Sequence, residues 1–134
     1  MFEGFEMRKV AAAGADIHMR IGGDGPPLLL LHGFPQTGAM WATIAPALAQ
    51  RFRLFVPDMR GYGQSSTPDS KGGSAYTKRV MAQDMVAAMQ ALGHERFAVA
   101  GHDRGARVAY RMALDHPSTI SRLAVLDICL LYTS

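Results

Sequence analysis

The order of apolar and polar positions splits the chain into alternating strand and helix signals. Residues 8–13 and 16–21 read as two strands joined at Gly14-Ala15, a hairpin. Gly22-Gly23-Asp24-Gly25-Pro26-Pro27 is turn chemistry. Residues 28–31 are leucine at every position, the mark of a strand covered on both faces, as in a parallel sheet. His32-Gly33-Phe34-Pro35 breaks that strand. Residues 40–50 predict a helix with Trp41, Ile44 and Leu48 on one side and Pro46 as an irregularity. Residues 52–56 are the next strand.

Residues 57–78 form a long polar, glycine-rich stretch, and loops of that length in compact domains tend to be functional or mobile. Residues 77–92 give the clearest helix. Met81, Met85, Ala88, Met89 and Leu92 recur at helical spacing, and Gly93 ends it. A strand over 97–100 leads into a helix over 104–115, with Ala106, Ala109, Tyr110 and Ala113 on one face and Pro117 beyond its end. Residues 123–126 are the last strand. Strands alternating with helices predict a doubly wound, mostly parallel α/β sheet with right-handed crossovers. Ligands of such sheets sit beyond the carboxyl ends of the strands. His32-Gly33-Phe34, Asp103-Arg104 and Asp127 all fall there.

Composition narrows the classes. At 134 residues, 49% hydrophobic and 19% charged, the chain is long enough for one domain with a core and reads as globular. Its net charge is +3, but the 14 Lys and Arg are scattered, so no nucleic-acid partner is expected. The acidic start is unlike a signal peptide, and no apolar run could span a bilayer. A single cysteine, Cys129, excludes an internal disulfide and fits a cytoplasmic protein. The five histidines show no metal-ligand spacing, so no metal is expected.

The chemistry concentrates in Gly101-His102-Asp103-Arg104-Gly105, which has the shape of a nucleophile elbow with aspartate in place of serine. Serine suits acyl transfer, whereas a carboxylate suits displacement at an sp³ carbon through an ester that water later cleaves. The plain alternative is that Asp103 caps the helix. Flanking glycines and the preceding strand favour the nucleophile. Arg104 and Arg107 lie three apart on one side of the helix, positioned to bind a substrate anion, because cations at a helix N-terminus oppose the dipole. The alternative is a surface pair bonded to a nearby loop. The backbone N–H groups of Phe34 and Arg104 would form an oxyanion hole over the ester. His32 and His102 read as loop supports. Asp127 would orient a triad histidine, or else cap a turn. Triad order here is nucleophile, acid, histidine, and no histidine follows His116.

His32-Gly33-Phe34-Pro35-Gln36, Pro57-Asp58-Met59-Arg60-Gly61-Tyr62-Gly63, Gly101-His102-Asp103-Arg104-Gly105-Ala106-Arg107 and Leu126-Asp127-Ile128 together resemble the α/β-hydrolase family, nearest to its haloacetate (fluoroacetate) dehalogenases. The resemblance covers residues 1–128 and implies the N-terminal portion of that family's core. The elbow aspartate is shared with epoxide hydrolases and haloalkane dehalogenases, which commonly carry tryptophan after it. Arg104 with Arg107 is the more specific mark. The resemblance implies that these arginines hold the carboxylate of a small 2-haloacid and Asp103 displaces the halogen. A histidine steered by Asp127 then activates water, with no cofactor. It also implies a helical cap whose His, Trp and Tyr hold the leaving halide. An epoxide hydrolase and a non-catalytic binding protein are the rival readings.

The family pattern breaks at residue 129. Cys129-Leu130-Leu131-Tyr132-Thr133-Ser134 is the translation of TGT CTC TTA TAC ACA TCT, a transposon end used in preparing sequencing libraries. Residues 129–134 are therefore expected to be adapter read-through, with Cys129 not native, and the 134-residue chain is expected to be inactive alone.

Overall fold

The computed structural model describes residues 2–12, 14–34, 36–68 and 76–127. Six strands form one sheet in the order β1-β2-β4-β3-β5-β6. They are β1 (Glu6–Ala11), β2 (Asp16–Gly22), β3 (Pro27–Leu31), β4 (Arg53–Pro57), β5 (Phe97–His102) and β6 (Ile120–Leu126). β1 and β2 are an antiparallel hairpin, β2 is antiparallel to β4, and β4, β3, β5 and β6 run parallel. The helices are α1 (Ala45–Leu48), α2 (Lys78–Ala91) and α3 (Arg104–Asp115).

β3 is covered on both faces, as its unbroken leucines predict. Leu29 and Leu31 pack with Phe55, Met85, Met89, Val108 and Met112 on the face of α2 and α3. Leu28 and Leu30 pack with Trp41, Ala45, Leu54 and Val56 on the other. α2 buries Met81, Met85, Ala88 and Met89, as their spacing requires. It ends at Gly93, whose φ of +92° suits glycine. The N–H of His94 then closes on the Met89 carbonyl and that of Gly93 on the Gln90 carbonyl, satisfying two of the orphan carbonyls of the last turn.

Two expectations change. The helix over 40–50 is instead a 3-10 turn at Gly38–Trp41 followed by the single turn of α1. Pro46 sits in the first turn of α1, where its missing N–H costs nothing, and Ile44 is left exposed. On α3, Tyr110 and Ala113 are only half-buried, while Gly105, Val108 and Met112 join Ala106 and Ala109 on the buried face. The expectation for residues 129–134 lies outside the described residues. Among the described residues, no helix is long and apolar enough to cross a membrane.

Candidate active site

The turn from β5 into α3 forces Asp103 to φ 56° and ψ −118°, a conformation that costs a non-glycine residue about 1–3 kcal/mol. The surrounding backbone holds it there. The Asp103 N–H donates to the Leu126 carbonyl at 3.0 Å. A Cβ at Gly101 would collide with the Gly105 carbonyl, and one at Gly105 with the carbonyls of Leu31 and His32. The two glycines therefore let the first turn of α3 lie against the ends of β3 and β5.

Asp103 occupies the N-cap position of α3, but its side chain makes no capping hydrogen bond. Its Oδ2 instead accepts the Phe34 N–H at 3.2 Å, across from the end of β3. That bond is the main reason the carboxyl lies below the usual carboxylate range, with further help from the Arg104 N–H and the positive charges beside it. The Phe34 and Arg104 N–H groups thus both act on one carboxylate.

The loop carrying Phe34 is fixed from below. His32 is fully buried. Its Nε2 accepts the Met59 N–H at 3.0 Å, so the proton must sit on Nδ1, which donates to the Gly33 carbonyl at 2.9 Å. Burial holds this imidazole below its ordinary pKa of 6.5. The Gly33 N–H donates to Gln36 Oε1 at 3.2 Å. His32 is a loop support, as read from sequence.

A second brace follows β4. Asp58 Oδ1 accepts from Gly38 N–H at 2.8 Å and Arg20 Nη1 at 2.9 Å, and Oδ2 from Gln64 N–H at 3.0 Å. Burial alone would raise this carboxyl, but the Gln64 N–H, the Arg20 guanidinium and the Gly38 N–H together hold it low. Arg60 makes a two-pronged pair with Asp84 on α2, Nε to Oδ2 and Nη2 to Oδ1, both at 2.6 Å.

Arg104 reaches back over the Phe34 ring, its guanidinium carbon 4.3 Å from the centroid. Phe34 is half exposed, and its ring meets Tyr62 edge-on at 6.2 Å. Beside Gly33 lies a cavity of about 80 Å³, floored by Met59, Met81 and Val108 and walled by Tyr62, Tyr76, Lys78 and Arg104. Arg107, half-buried one turn along α3, is outside that wall, but its charge acts on Lys78. Asp127 follows β6 with φ 57°, and its Oδ2 stands 3.4 Å from His102 Nε2.

Asp103, Phe34 and Arg104 are therefore brought together, with Asp127 at the next strand end. Sequence reading missed Lys78 and Tyr76. The signal for Lys78 was available: it is a cation in the first turn of a helix that carries no acidic residue there. Among the described residues no cluster of His, Cys, Asp or Glu could hold a metal ion.

Comparison with known proteins agrees with this fold. Residues 26–133 match the family model described as the alpha/beta hydrolase fold. A fluoroacetate dehalogenase of Burkholderia sp is 53% identical over 96% of this chain and 42% of its own length. A soluble epoxide hydrolase of Corynebacterium sp. (strain C12) is 40% identical over 85% of this chain and 38% of its own length. The solved structure of ALR0039 from Nostoc sp PCC 7120 superposes with a TM-score of 0.93 at 55% identity, covering 96% of this chain and 44% of that one. The chain thus spans about two fifths of the length of the relatives it matches.

Proposed function

The chain belongs to the alpha/beta hydrolase fold family, and from that premise we propose that the protein it forms part of is a hydrolytic dehalogenase of small 2-haloacids, of the haloacetate type. Asp103 Oδ1 attacks the carbon bearing the halogen. The carbon–oxygen bond forms as the carbon–halogen bond breaks, and halide leaves with the bonding pair. The product is an ester in which Oδ2 is the carbonyl oxygen, already lying against the Phe34 N–H. Water then adds to the ester carbon, the Phe34 and Arg104 N–H groups stabilise the oxyanion, and the hydroxyacid departs. Arg104 and Arg107 hold the substrate carboxylate. Asp127 steers the base, a histidine placed in the length of the relatives that this chain does not span. No cofactor enters the scheme.

The observation that carries this reading is the Asp103 carboxylate, which makes no capping bond to its helix and accepts the Phe34 N–H instead. The arginines beside it favour an acid over a neutral epoxide. The epoxide hydrolase reading stands second, because the Corynebacterium relative is also similar across the elbow.

The test is one turnover of chloroacetate by the full-length protein in ¹⁸O-water. Label should enter the Asp103 carboxylate, as read on its peptide by mass spectrometry. Arg107→Met should lower kcat/KM for chloroacetate by about 100-fold, consistent with losing a charge-assisted bidentate contact. The same variant should leave hydrolysis of a neutral epoxide unchanged. Chloride release without label in Asp103 would sink the ester mechanism. Epoxide turnover without chloride release would favour the second reading.

A further inference from the structure

Three cations gather at one side of the cavity, and among the described residues no carboxylate pairs with Lys78 or Arg107, while the charge of Arg104 acts on Asp103. Lys78 and Arg104 form part of its wall, and Arg107 lies close enough for its charge to act on Lys78. The neighbouring Arg79 behaves differently: its Nε pairs with Asp115 Oδ2 at 3.0 Å. Arg20 and Arg60 likewise meet Asp58 and Asp84. Among the described residues, Lys78 and Arg107 have no ion-pair or hydrogen-bond partner. Like charges held together are mutually destabilising unless an anion sits among them. The half-buried ammonium records that strain, since burial first, and then the charges of Arg104 and Arg107, push its pKa below the ordinary 10.5.

We propose that Lys78 is a third cation of the acid-binding site, a specificity-determining residue that makes this cavity select small carboxylates over neutral ligands. The proposal rests on the reading of Arg104 and Arg107 as the acid-binding pair, and adds a group from a different helix. Lys78 begins α2 and Arg104 begins α3, and both line the cavity, so a carboxylate there is gripped between two helices and not by α3 alone. The cavity of about 80 Å³ admits only a small acid. Its methionine and valine floor keeps water away from the remainder of the ligand.

The experiment is calorimetric titration of the full-length protein with acetate, which carries the carboxylate and no leaving group. Lys78→Met should raise the acetate Kd about five- to tenfold, the range for losing one partly screened charge-assisted contact. Lys78→Arg should restore it. The dependence of log Kd on log salt should be shallower in Lys78→Met than in the wild type, which a purely structural role would not produce. If Lys78→Met does not fold, Lys78→Gln makes the same comparison. An unchanged Kd in the folded variant overturns the proposal, as does a wild type that binds no acetate. A wild type that binds acetate through Lys78 but releases no chloride from chloroacetate supports the Lys78 site and removes the dehalogenase reading.

Discussion

His32 shows how much of the site depends on a residue that touches no substrate. Its ring takes the Met59 N–H and returns a proton to the Gly33 carbonyl, which leaves no acceptor if Nε2 is protonated. The folded pKa lies below 6.5, and so does that of His18, which burial also lowers. The unfolded chain therefore binds more protons than the folded one just below pH 6.5. Stability should be level above that pH and fall as the pH drops through 6.5 toward the lower folded values. Denaturant midpoints measured between pH 5 and 8 read this directly, and His32→Gln should flatten the profile. A wild-type midpoint that rises on acidification would refute it. His32 was legible in sequence as a loop support because it directly follows a strand. Its tautomer was not, because Met59 reaches it from 27 residues away.

Among the elements, the loop after β4 and helix α2 are locked by the Arg60–Asp84 pair, both side chains nearly inaccessible to solvent. Removing Asp84 takes the two-pronged carboxylate from a buried guanidinium, so Asp84→Ala should cost about 3–5 kcal/mol of unfolding free energy. Equilibrium urea unfolding of the full-length protein measures it, and a loss under 1 kcal/mol would mean that water replaces the carboxylate. Strand and helix order could be read from sequence, because an apolar run such as 28–31 and the methionine spacing of α2 are local signals. The pairing of Arg60 with Asp84 could not, since it joins a loop to a helix that only the sheet brings near. The same holds for Lys78. Its neighbours Arg104 and Arg107 stand on another helix, far along the chain. The failed helix over 40–50 has the opposite cause: Pro46 carried the correct local information, and the amphipathic pattern around it outweighed it.

At the scale of the molecule, Phe34, Asp103 and Asp127 lie at the carboxyl ends of β3, β5 and β6, while the loop after β4 and helix α2 complete the cavity wall. β6 leaves both faces largely open, with Leu123 and Leu126 more than a third exposed. No histidine among the described residues contacts Asp103 in a position to activate water. The 134 residues taken alone should therefore release no halide from chloroacetate or fluoroacetate, as an ion-selective electrode would show. Measurable release by the purified chain would overturn that expectation and place the base within this sequence.

The strand order carries a consequence for synthesis. β4 lies between β2 and β3, although β3 is made first. The hairpin of β1 and β2 can close as soon as it leaves the ribosome, but β3 has no partner until residue 57 has emerged. After that, β5 and β6 each join at the outer edge of the strand already in place, so nothing need be reopened. Stalled nascent chains should resist protease only once β4 clears the exit tunnel, and the reactive elbow takes shape later still, when Leu126 arrives to hold the Asp103 N–H.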